Sequence, residues 1–110
     1  KLFQSKKSLH SFDDSKVAEA FARIECHYFT NGGFFDTDNW IIENVEKIKH
    51  IPTDIVQGRY DVVCPMVSAW ELHKALPDAG FHIIQDSGHS MTENGIRSKL
   101  IELTEKYLVD

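Results

Sequence analysis

Apolar residues in the first half of the chain recur at helical intervals. Behind Ser15, placed as an N-cap, Val17, Phe21, Ile24 and Tyr28 step by four, three and four, the period of an amphipathic helix. Asn31-Gly32-Gly33 ends it. Asp36-Thr37-Asp38 offers the next N-cap, and Trp40, Ile41, Val45 and Ile48 predict a second helix closing on Lys47, Lys49 and His50, cations suited to a helix C-terminus. Residues 1–14 mix Lys, Ser, His and Asp with isolated Leu and Phe and read as a helix end or a loop.

The period changes in the second half. Ile51-Pro52-Thr53-Asp54-Ile55-Val56-Gln57 is short and β-branched, carries its Pro near the start where a missing N–H is tolerated, and closes on Gly58, which predicts a strand. Met66, Ala69, Trp70, His73 and Leu76 then form a helical face between Pro65 and Pro77. Phe81-His82-Ile83-Ile84-Gln85 predicts a second strand, and Ile96, Leu100, Leu103 and Tyr107 a C-terminal helix. Strand, helix, strand, helix is a βαβα unit of an α/β fold, with neighbouring parallel strands and a right-handed crossover expected.

The bulk numbers narrow the class. A length of 110 residues is one domain's worth, and 42% hydrophobic with 26% charged residues is ordinary for a soluble globular protein. No apolar run is long enough for a membrane span, so no membrane partner is expected. The net charge of -5, with lysines scattered among acids, argues against nucleic acid. Cys26 and Cys64 are too few for a disulfide framework or a four-ligand zinc site and read as free thiols in a reducing compartment, so the expected location is cytoplasmic. The chain begins at Lys1 with neither Met nor a signal segment, and that first residue reads as a boundary rather than a natural start.

Two residues carry candidate chemistry. Asp61 in Gly58-Arg59-Tyr60-Asp61 and His89 in Ser87-Gly88-His89-Ser90 each follow a predicted strand, 28 residues apart, room for one crossover helix and one strand. Catalytic groups in open parallel sheets gather beyond the carboxyl ends of strands. A buried acid beside an imidazole fixes its tautomer and stabilises the imidazolium formed on proton uptake. Asp and His in that order are the second and third members of the Ser, Asp, His order of α/β-hydrolases. On spacing alone the plainer alternative has the better claim: Asp after a strand as a turn former, Gly-His as a structural loop.

The ordered set Ala22-Arg23-Ile24-Glu25-Cys26-His27-Tyr28-Phe29, Ile51-Pro52, Gly58-Arg59-Tyr60-Asp61 and Ser87-Gly88-His89-Ser90, with Trp40, Trp70 and Pro77 at fitting places, closely resembles the C-terminal part of proline iminopeptidases, serine peptidases of the α/β-hydrolase fold. The resemblance implies that residues 1–36 are the end of a helical cap domain and 37–110 the last part of the hydrolase core. It implies that Asp61 is the triad acid, His89 the general base, and Glu25 the carboxylate that holds the free amine of a peptide substrate with N-terminal proline. No cofactor and no metal are implied. By position alone Glu25, at the margin of the apolar stripe, reads as a solvated residue.

The chain departs from the family in lacking a G-x-S-x-G elbow, a His-Gly-Gly segment for the oxyanion hole, and the central strands. The expectation is therefore a chain that supplies the triad Asp and His but is inactive alone. Ser87 and Ser90 flank His89 in the wrong context for a nucleophile and are expected to hydrogen-bond its loop. Three other readings stand beside this one: Cys64 as nucleophile, a metal held by His27, His82 and His89, and a non-catalytic interaction module or fragment that forms a homo-oligomer or edge-paired dimer through an open sheet edge.

Overall fold

The computed structural model describes residues 15–108, in two compact units that divide between Glu43 and Asn44. The expectation for residues 1–14 lies outside the described residues. In the first unit, helix α1 spans Ser15–Thr30. It stops where polar side chains turn back on the last carbonyls: the Thr30 hydroxyl donates to the Cys26 carbonyl (2.7 Å) and the Asn31 amide to that of His27 (2.8 Å). Gly32 and Gly33 then take left-handed φ values of 58° and 64°, which glycine adopts without a Cβ penalty. Phe34 follows them into the same region, its ring edge-on to Tyr28 at 5.4 Å. The apolar stripe of α1 exists as spaced, yet Val17, Phe21, Ile24 and Tyr28 are each more than half exposed.

The second predicted helix is broken. Helix α2 runs only over Trp40–Glu43, Asn44 leaves helical geometry at φ -109° and ψ 10°, and Val45–Lys47 form a 3-10 turn. Ile41, Ile42 and Val45 are β-branched and Asn is a weak helix former, so the segment has little intrinsic drive to bridge the break. The first helical bond, Glu43 N–H to the Asn39 carbonyl (2.9 Å), puts Asn39 at the cap position in place of the expected Asp36–Asp38.

The second unit is a βαβα arrangement. Strand β1 (Asp54–Gly58) and strand β2 (Gly80–Ile84) pair in parallel, with Asp54 opposite Gly80 and Gly58 opposite Ile84. Helix α3 (Met66–Ala75) lies between them in sequence and α4 (Asn94–Lys106) follows. The first strand begins later than its β-branched run: Pro52 has no N–H to give a ladder, and the Thr53 hydroxyl folds back on the Ile51 carbonyl (2.9 Å). The core packs Val45, Leu76 and Ala79 against Ile55, Leu72 and Ala75. On α3 the half-buried face passes through Leu72, and Trp70, expected on it, is 48% exposed beside His73 and Phe81. From α4, Ile96 and Leu103 are buried. No described helix is long and apolar enough to cross a membrane.

At the amino end of the strands a polar latch ties α4 to the sheet. The Asp54 carboxylate, 5% exposed, accepts the His82 ring on Oδ1 (2.7 Å) and both the Lys106 ammonium (2.9 Å) and the Tyr107 hydroxyl on Oδ2. The hydrogen bonds from Tyr107, His82 and Lys106 outweigh burial and hold the Asp54 carboxyl far below its ordinary range, and Asp54 in turn raises Lys106 and Tyr107. A carboxyl depressed on folding stabilises the fold above its unfolded value of about 4, and that contribution is lost as pH falls through the lower folded value. Asp54→Asn is therefore expected to lower the thermal midpoint by the largest amount above about pH 5, the gap from wild type closing below about pH 4. Thermal unfolding followed across pH checks this, and a gap that does not change with pH counts against the latch.

Candidate active site

Two loops meet beyond the carboxyl ends of β1 and β2, and backbone bonds continue the pairing into them. Arg59 N–H donates to the Ile84 carbonyl (2.9 Å) and Tyr60 N–H to the Ser87 carbonyl (3.0 Å). Gly58 makes this closure possible, because a Cβ there would stand 1.9 Å from the Gly88 carbonyl oxygen. The loop after β1 thereby carries Asp61 to within reach of the loop after β2, which carries His89.

The structure brings those two side chains together: His89 Nδ1 lies 3.1 Å from Asp61 Oδ2. Asp61 is 8% exposed and the imidazole 51%, so the acid is shielded while the base opens to solvent. The other carboxylate oxygen, Oδ1, accepts the N–H groups of Val63 (3.0 Å) and Cys64 (2.8 Å), which wraps residues 61–64 into a tight turn. Burial works against ionisation of Asp61, but the bonds from Cys64, His89 and Val63 outweigh it and hold the carboxyl below its ordinary range. An ionised Asp61 can only accept, so Nδ1 carries the donated proton and Nε2 is the nitrogen left for proton exchange.

Two further residues bond the backbone of these loops and had no signal in the periodicity. The buried amide of Gln57 donates to the carbonyls of Gly58 and Cys64 (both 3.1 Å), anchoring the Asp61 turn to its strand. The Glu93 carboxylate accepts Gly88 N–H on Oε2 (3.0 Å) and Ser90 N–H on Oε1 (3.2 Å). The S-x-x-E spacing of Ser90 and Glu93, readable as a reciprocal capping pattern, was the available sequence clue. Ser90 does brace the loop, its hydroxyl within 2.7 Å of that of Thr92. Ser87, 1% exposed, acts chiefly through the carbonyl that accepts Tyr60 N–H.

The other candidates fall elsewhere. Glu25 is an exposed residue of α1, in the first unit. Cys64 is an exposed free thiol whose backbone is already engaged by Asp61 and Gln57. His82 is bound to Asp54 and His89 to Asp61, and among the described residues no group of three or more His, Cys, Asp and Glu side chains is arranged to hold a metal ion.

No protein-family model matches the chain. Over 97 residues, 88% of its length, it is 60% identical to a probable proline iminopeptidase of Leptolyngbya boryana. It is 54% identical over 91% of its length to a proline iminopeptidase of Arabidopsis thaliana, and 42% identical over 97% to one of Xylella fastidiosa. The chain spans only 30%, 26% and 34% of those relatives, matching their C-terminal portion.

Proposed function

We propose that the chain is the C-terminal part of a proline iminopeptidase, an α/β-hydrolase-fold serine peptidase in which Asp61 and His89 are the acid and base of the triad. The observation that carries this reading is the shielded Asp61 carboxylate 3.1 Å from His89 Nδ1, beyond the carboxyl ends of two parallel strands. Similarity over about nine-tenths of the chain to relatives of that name supports it. A serine outside these residues attacks the carbonyl carbon of the N-terminal proline, its proton passing to His89 Nε2, while Asp61 holds Nδ1–H and stabilises the imidazolium. His89 then protonates the leaving amine, and water releases proline from the acyl-enzyme by the reverse relay. Glu25 takes the substrate's ammonium, which in a poorly hydrated pocket needs a carboxylate partner.

The test is release of proline from an N-terminal-proline peptide by the full-length gene product. Turnover that a serine-directed sulfonyl fluoride abolishes is expected, with none from residues 1–110 alone, since acid and base have no nucleophile to assist. Glu25→Gln in the full-length protein is expected to raise KM about 10- to 100-fold, the worth of one charge-assisted hydrogen bond. A full-length protein that releases no proline, or turnover by the isolated chain, sinks the reading.

A further inference from the structure

Glu93 stands at the N-cap of α4, its carbonyl accepting the first helical bond from Arg97 N–H (2.9 Å). The short side chains of Ser, Thr, Asp and Asn at such a position cap the helix by accepting an N–H from its first turn. Glu93 makes no such bond. Its carboxylate turns away from the helix and onto the backbone on either side of His89, Oε2 taking Gly88 N–H and Oε1 taking Ser90 N–H. The bond to Ser90 alone is what a local S-x-x-E turn provides. The reach across His89 to Gly88 is not required by that turn, and it leaves the imidazole's residue bracketed between two charge-assisted bonds.

The opposite side of the same arc is fixed by the strand: the Gly88 carbonyl packs on Gly58 and the Ser87 carbonyl accepts Tyr60 N–H. The half-exposed ring is anchored by the 3.1 Å bond to Asp61, so its direction depends on where residues 88–90 are held. We propose that Glu93 is a positioning residue for His89: its carboxylate fixes the 88–90 backbone so that Nδ1 stays on Asp61 and Nε2 faces the reacting atoms. The catalytic half of this inference rests on the peptidase reading; the positioning half stands on the geometry alone. Gln in place of Glu93 keeps the size and one acceptor but offers an NH2 where the second N–H needs an oxygen.

The experiment compares wild-type and Glu93→Gln full-length protein by two measurements. One is kcat and KM for an N-terminal-proline peptide; the other is the downfield proton resonance of His89 Nδ1–H, assigned by its loss in His89→Ala. Loss or broadening of that resonance, together with kcat about 10-fold lower and KM within two-fold, is expected. Persistence of the resonance in folded Glu93→Gln protein overturns the proposal whatever happens to kcat, and so does unchanged kcat or a change confined to KM. If wild type releases no proline, the peptidase reading fails, and the resonance alone decides whether Glu93 positions His89. Should Glu93→Gln not fold, Glu93→Asp, one methylene too short to reach both N–H groups, is read by the same criteria.

Discussion

Asp61→Asn in the full-length protein is expected to lower kcat for N-terminal proline release by about 10⁴-fold while leaving the fold intact, the scale of loss when a triad acid becomes an amide. The two oxygens of Asp61 do separate work. Oδ1 accepts Val63 N–H and Cys64 N–H, and an Asn carbonyl oxygen in the same place accepts both, so the turn survives. Oδ2 faces His89 Nδ1, and Asn presents an NH2 there. A donor facing Nδ1 forces the ring to accept at that nitrogen and carry its proton on Nε2, the tautomer that cannot take a proton from a serine. Circular dichroism and a thermal midpoint close to wild type establish that the turn is retained. A kcat within 10-fold of wild type removes Asp61 from the triad.

The 28-residue spacing of Asp61 and His89 does not single them out. Asp54 and His82 stand the same 28 residues apart and are also hydrogen-bonded, at the amino end of the same two strands. What separates the pairs is strand direction, which the β-branched runs and the intervening helical period made legible, and saturation, which they did not. Asp54 is bound by His82, Lys106 and Tyr107, whereas His89 presents an imidazole open to solvent. Lys106 and Tyr107 lie more than fifty positions from Asp54, and no periodicity reports a contact of that range. Gln57 and Glu93 escaped for a related reason: their bonds run from side chains to loop backbone, and loop paths depend on packing rather than on hydrophobic pattern.

The break at Asn44 marks another limit. Trp40, Ile41, Val45 and Ile48 do keep a helical period, but a period states which face is buried if a helix forms, not whether it forms. Four helical residues and a 3-10 turn carry Val45 into the core by a different backbone path. The stripe of α1 illustrates the converse: its period is realised as a regular helix, yet its apolar side chains are exposed among the described residues. Exposed apolar surface of that kind on a chain spanning about a third of its relatives is in keeping with the proposal that it is part of a longer enzyme.

Gly58→Ala is expected to cost about 3 kcal/mol of stability or more, at the upper end of overpacking penalties. The added Cβ would lie 1.9 Å from the Gly88 carbonyl oxygen and 2.8 Å from both the Gly88 carbonyl carbon and the Ser87 carbonyl oxygen. All three are backbone atoms, so no rotamer change relieves the contact and the loop after β2 must move off the strand. That movement strains the bonds from Arg59 to Ile84 and from Tyr60 to Ser87, each worth about 1 kcal/mol, and draws His89 away from Asp61. Gly32→Ala is the informative control. Gly32 has a φ of 58° with nothing within 4 Å of an added Cβ, so only the backbone conformation is penalised, by about 1 kcal/mol. Urea unfolding of the two variants beside wild type measures the difference. A Gly58→Ala protein no less stable than Gly32→Ala would mean that the His89 loop does not rest on β1, and the 3.1 Å pairing with Asp61 would lose its structural support.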